Sequence, residues 1–365
     1  MKIGILTFHR ASNYGAVLQA YALTEVLRGL GADAQIIDYR CPEVEMCHYP
    51  SNLFKRESLP AACIHYYGKQ KKFGNFEGFR QRHLHLSRRY DRETIGETCK
   101  EYDLFLSGSD QVWSKKYSGM DTTSLLDFEE DPNKKYSYAA SFGFTEFPEG
   151  TQEVYARHLQ QFQAVSVREQ SAVDLLRSQC GLDAFLSLDP TLILGADKWM
   201  QLAKKPDIDK NYILIYRVQP PVHLIEYAKK LSAETGCEIV YLNSSYTDHK
   251  ELHHARFSTP EEFVGWFANA EYVLTNSFHG TAFSIIFRRN LTVEIQTKQS
   301  LNTRSRDLLR ICGLTERILP ESYTDYTLGE IDWDLVSSKL ETEKKSSIDY
   351  LKGLCETDYG KEACN

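Results

Sequence analysis

The sequence predicts an α/β protein of two Rossmann-like doubly wound domains, and three observations predict it. Short apolar runs rich in β-branched and aromatic residues alternate with helix-period segments along most of the chain, as βαβ units require. A length of 365 residues exceeds what one core usually supports, so two domains are expected. A polar, proline-containing break lies within Gly195–Asn211 and divides the series.

The elements follow in chain order. Ile3–Phe8, Gln35–Tyr39, Leu104–Ser107, Tyr136–Ala140, Val165–Val167 and Phe185–Leu188 read as strands ended by turn-formers. Between the first two, Val17, Ala20, Leu23, Leu27 and Leu30 share one face of a helix over Gly15–Leu30, and Gly31 stops it. Residues 41–100 are basic, aromatic and irregular, and read as an insertion or a helical excursion. After Asp189-Pro190 a second series brings strands at Tyr212–Tyr216, Glu238–Leu242, Tyr272–Thr275 and Thr292–Ile295. Helices fall near 222–235, 260–268, 280–288 and 302–312. Asp332–Leu354 reads as a separate helix. The expected domains are 1–195 and 196–330, with 331–365 packing back on the first. Facing a cleft, two such domains set the carboxyl ends of their strands, where open α/β sheets bind ligands, on opposite walls.

Composition narrows the classes. With 42% hydrophobic and 25% charged residues the chain reads as soluble and globular. It lacks an apolar run of about 18 residues and a cleavage site after MKIGILTF, so neither a transmembrane segment nor a signal peptide is expected. The expected location is the cytoplasm, compatible with peripheral membrane association. Nine cysteines without a C-x-x-C pair argue against a zinc ribbon and a secreted disulfide framework. His249 and His253 have i, i+4 spacing, but their polar surroundings read as a solvated surface, and no metal is expected. A net charge of −7 argues against nucleic acid as a partner.

The chemistry concentrates at strand ends. In Ala270–Gly280 an apolar strand runs into Asn276, Ser277, Phe278, His279 and Gly280 just before a helix. Backbone N–H groups there would carry partial positive charge, an anion site. His279 beside it is a candidate acid–base group, since an imidazole with a pKa of about 6.5 both gives and accepts protons near neutrality. The first βα junction offers Asn13 as N-cap and Gly15, preceded by His9 and Arg10, without the G-x-G-x-x-G fingerprint. Simple turn chemistry and ligand contact weigh equally for Asn13 and Gly15. Leu104–Trp113 ends in Ser109, Asp110 and Gln111, polar groups suited to ligand contact, and in Trp113, which either stacks on a sugar or fills the core. Arg168 ends the Val165–Val167 strand; it pairs with carboxylates or clamps an anionic ligand, and its position favours the clamp. Finally, Lys298, Asn302, Arg304 and Arg306 open the 302–312 helix with cations, against its macrodipole. A bound anion would resolve that conflict; so would a solvated face paired with Asp307.

Together GILTFHRASNYGAVLQAYAL, LFLSGSDQVW, SYAASFG, SVRE, LSLDPTLIL and VLTNSFHGTAFSIIF resemble the polysaccharide pyruvyl transferase family, from about residue 3 to 312. The resemblance implies a glycosyltransferase-B-like arrangement of the two domains. It also implies metal-free transfer of a pyruvyl group from phosphoenolpyruvate to two hydroxyls of a saccharide acceptor, forming a cyclic ketal. Phosphoenolpyruvate would be the donor substrate, with no cofactor. On this reading His279 serves as acid–base group, while Arg168, Lys298, Arg304 and the helix start at His279 hold the donor's phosphate and carboxylate. Some members carry arginine two residues before this histidine, where the present chain has Ser277; Arg304 or Arg306 is expected to substitute.

Two other readings stay open. The same cleft suits a glycosyltransferase using a nucleotide sugar without metal, since Asp207/Asp209 and Asp332/Asp334 do not follow apolar strands. A non-catalytic binding protein on the same scaffold is the third.

Overall fold

The computed structural model of the chain describes residues 1–44, 59–119, 121–242, 249, 251–295, 303–323, 326–327 and 329–356, without the side chains of 59–65 and 303. The chain folds as two compact units. The first comprises Met1–Ser51, Arg80–Leu194 and Thr342–Asn365, and the second Asn52–Phe79 and Gly195–Glu341.

In the first unit, strands β1 (Lys2–Leu6), β2 (Asp33–Tyr39), β3 (Leu86–Tyr90), β4 (Leu104–Ser107) and β5 (Lys135–Ser137) pair in parallel in the order β3-β2-β1-β4-β5. A short parallel pair, β6 (Ser166–Val167) and β7 (Phe185–Leu186), follows. In the second unit β8 (Tyr212–Tyr216), β9 (Glu238–Leu242), β10 (His253–Ala255), β11 (Tyr272–Thr275) and β12 (Asn290–Val293) pair in parallel in the equivalent order β10-β9-β8-β11-β12. Each sheet therefore reverses its strand order beside its first strand, at β1/β4 and at β8/β11. A doubly wound sheet opens its binding crevice at that switch point.

The central strands are apolar throughout because helices cover both faces. All five residues of β8 are buried, and Ile213, Leu214 and Ile215 have no exposed surface. Full burial of each such side chain contributes roughly 1.5–3 kcal/mol. In the first unit Phe105, Trp113, Phe142 and Leu159 form part of one continuous core.

Two strands have no apolar signature and escape the sequence reading. β3 reads Leu-Ser-Arg-Arg-Tyr and, among the described residues, pairs only with β2, so its arginines face water at a sheet edge, where charge blocks further pairing. β10 is a three-residue edge strand, His253–Ala255, within the stretch read as polar surface. Within residues 41–100, read as an insertion or a helical excursion, Leu59–His83 is a helix, with Phe76 and Phe79 fully buried at i, i+3 spacing. Residues of the helix Trp333–Glu356 from Thr342 onward belong to the first unit. There the Ser347 hydroxyl accepts a hydrogen bond from Leu188 N (2.9 Å), and Tyr350 stacks on Phe185 with ring centroids 5.3 Å apart.

Candidate active site

In the second unit the polar end of β11 is built as a helix start. Thr275 Oγ1 donates to Tyr216 O (2.6 Å) and accepts from Ser277 N (3.0 Å), tying β11 to β8. Ser277 is the N-cap of the helix Phe278–Ile286, its hydroxyl accepting from Gly280 N at 3.4 Å. The Thr281 hydroxyl donates to Ser277 O (3.1 Å). A side chain at Gly280 would collide with Thr275 Oγ1, so glycine is needed here for strand–helix packing. Asn276 holds the neighbouring loop: its side chain accepts from Val218 N (2.9 Å) and donates to Gln219 O (3.0 Å).

His279 follows in the first turn, only 8% exposed, its ring edge-on to Phe278 at 5.2 Å. The guanidinium of Arg304 lies over that Phe278 ring, 5.6 Å from its centroid. One cation of the 303–312 helix thus reaches the residue next to Ser277, while Arg306 is exposed on the same helix. Lys298 and Asn302 lie outside the described residues.

Sequence reading missed Arg217. It follows β8 directly, and because Tyr216 pairs with Thr275 it stands beside Asn276 at the switch point. Its guanidinium lies over Tyr241, and its Nε donates to the Tyr241 hydroxyl. An arginine one residue past a predicted strand was the available signal.

The first unit presents a different set at β1/β4. After β4 the backbone turns through Gly108, with φ +116°, and Asp110, with φ +77°. Thr7 Oγ1 donates to Ser109 O (2.9 Å). Ser109 Oγ and Gln111 Nε2 are buried with no hydrogen-bonding partner among the described residues. Such groups need an explanation, and ligand contact is one.

Arg168 is not the open clamp its position suggested. Its side chain is 1% exposed and committed to carboxylates: Nη1 donates to Asp189 (2.9 Å), Nη2 to Asp110 (3.0 Å), and Glu169 lies 3.7 Å away. Burial works against its charge, and the three carboxylates more than restore it, holding its pKa above the ordinary arginine range. Arg168 therefore holds the Asp110 carboxylate, whose side chain is 17% exposed. Trp113 is core: 1% exposed, it donates to Ser107 Oγ (3.2 Å) and packs on Phe142 at 5.1 Å. Asn13 is exposed and caps the helix Tyr14–Gly29 by accepting from Ala16 N, and Gly15 is buried in that helix's first turn.

Beside this loop, His9 and Arg10 converge on Asp38 at 2.9 Å and 2.5 Å. Burial raises the Asp38 pKa, but hydrogen bonds and charge from His9 and Arg10 outweigh it and hold the carboxyl well below the usual range. An adjoining pocket of about 470 Å³, open mouth included, is lined by Phe8, Tyr39, Val112, Ser118 and Asp121 among others. Among the described residues, Cys41, Glu43 and Asp121 form a group whose possible metal-ligand atoms lie within 4.8 Å of one another. Burial pushes the Cys41 thiol up to about 12, so without a metal it stays protonated.

Two doubly wound parallel units with polar groups at their switch points define a glycosyltransferase-B-like fold. The solved UDP-GlcNAc 2-epimerase from Neisseria meningitidis shares it, with a TM-score of 0.51 over 98% of this chain and 100% of that one, at 9% identity. The UDP-GlcNAc 2-epimerase from Methanocaldococcus jannaschii is also similar, with a TM-score of 0.49, 12% identity, and 98% and 100% of the two chains covered. No curated protein matches the chain in sequence. The family model for polysaccharide pyruvyl transferase matches residues 13–293, and the chain belongs to that family. It is a transferase.

Proposed function

We propose that the protein transfers a pyruvyl group from phosphoenolpyruvate to two hydroxyls of a saccharide, releasing phosphate and forming a ketal. The observation that carries this reading is the Phe278 ring at the start of the Phe278–Ile286 helix, with the Arg304 guanidinium over its face and the His279 ring edge-on to it. It brings a cation and an acid–base side chain to one ring, next in sequence to Ser277, the position where some members have arginine. Helix N–H groups add positive potential at the same place.

The steps use these groups in order. A proton delivered to the donor's methylene carbon makes C2 electrophilic, and a saccharide hydroxyl adds there. The C2–O bond to phosphate breaks, phosphate leaves with the electron pair, and the second hydroxyl closes the ketal. Of the two hydroxyl protons, one balances the new methyl group and the other leaves with phosphate. His279 is the group assigned to these proton transfers.

Phosphate release from phosphoenolpyruvate, assayed against a panel of cell-surface glycans and lipid-linked precursors, tests this. His279→Ala should lower turnover by about 10²–10⁴-fold. Arg304→Ala should raise the donor KM about tenfold or more, as loss of a charged ligand contact does. Stabilisation by a nucleotide sugar, with none by phosphoenolpyruvate, would replace this reading with the glycosyltransferase one.

A further inference from the structure

The second unit has two helix starts at its switch point, and one is already filled by the protein's own anion. The turn from β8 to the helix Leu224–Thr235 is the first βα turn of its unit, where doubly wound domains receive a diphosphate. Here the carboxylate of Glu294 enters it. Oε1 accepts from His223 N (2.6 Å), Val222 N (3.1 Å) and Leu224 N (3.2 Å), and Oε2 from Val222 N (3.0 Å). Glu294 is 4% exposed and lies just past β12, its own N–H donating to Thr275 O (2.9 Å), so the sheet fixes the carboxylate in place. Asn276 pins the front of the same turn through Val218 and Gln219, so the loop is held from both ends.

We infer that Glu294 is a built-in anion that closes the β8 turn to phosphate, and that it selects against nucleoside diphosphate donors. Three N–H donors that would cradle a phosphate are spent on a carboxylate, and a phosphate approaching them meets its buried negative charge. The donor's phosphate is left with the other helix start, at Ser277–Gly280. The closure stands on the hydrogen bonds alone; its meaning for donor choice rests on the pyruvyl-transfer reading.

Thermal unfolding in inorganic phosphate, against sodium chloride of equal ionic strength, tests the closure in the full chain. Glu294→Ala should melt lower than wild type. Phosphate should then raise its melting temperature by roughly 2–4 °C more than it raises that of wild type. The increment should persist in Glu294→Ala/His279→Ala, which places the anion at the β8 turn. An equal increment in wild type, or its loss in the double variant, overturns the inference. If Glu294→Ala does not fold, amide NMR of the wild type decides. The His223 and Leu224 signals should stay put on titration with phosphate or uridine diphosphate, and a saturable shift of either overturns it. Failure of phosphoenolpyruvate to bind the wild type would remove the proposed reaction while leaving these outcomes as they stand.

Discussion

Single residues show how burial decides between roles that look alike in sequence. Arg168 and Arg304 both stand where an anion clamp was expected. Arg168 is sealed among Asp110, Asp189 and Glu169, while Arg304 rests half-buried over Phe278. Removing the first leaves buried carboxylates without their cation, so Arg168→Ala should cost about 3–5 kcal/mol in urea unfolding. A loss below about 1 kcal/mol, accompanied by weaker donor binding, would restore the clamp. Asp38 makes a prediction in pH. Its folded pKa lies below the unfolded value of about 3.9, so its contribution is present above that value and lost as pH falls through the folded one. Asp38→Asn should therefore be less stable than wild type at neutrality and lose less on acidification. Parallel acid limbs for the two proteins would contradict the assignment. The sequence shows Glu169 beside Arg168, but Asp110 and Asp189 reach it from two other chain segments, brought together only by the fold.

Among the elements, legibility followed hydrophobic contrast. β1, β4, β8, β9 and β11 are apolar runs buried on both faces, and the sequence reading placed them within a residue or two. β3 and β10 are short edge strands in which only Tyr90 and Ala255 are buried, so no apolar period marks them. The helix Pro260–Asn269 was expected near 260–268, and the structure adds a cap that the sequence reading did not name. Thr259 accepts from Glu262 N (3.2 Å) while the Glu262 carboxylate accepts from Thr259 N (3.0 Å), a capping box. Thr259→Ala should cost about 1 kcal/mol in a chemical denaturation experiment. A change within error would mean that Glu262 alone sustains the cap. Glu294 was legible as a letter but not as a function: nothing in Leu-Thr-Val-Glu says that its partners lie about seventy residues earlier, at Val222–Leu224.

The two units repeat one strand order, yet their switch points are equipped differently. The first carries the Ser109–Gln111 loop and a partly apolar pocket. The second carries helix-start N–H groups, Arg217 and Arg304. The first unit also relies on residues far down the chain. Tyr350 donates to Ser137 O (2.8 Å) and stacks on Phe185, so Tyr350→Ala should lower stability by about 2–4 kcal/mol, read from thermal unfolding. An unchanged melting temperature would show that the returning helix adds nothing to that core.

That return fixes an order of events during synthesis. The strands of the first unit have left the ribosome by Leu194, but Ser347 and Tyr350, which contact Leu188 and Phe185, come only after the second unit. At about 5–20 residues per second, the first core waits roughly ten to thirty seconds for its last helix. Throughout that interval the Tyr138 ring, fully buried in the finished fold, lacks its Tyr350 neighbour.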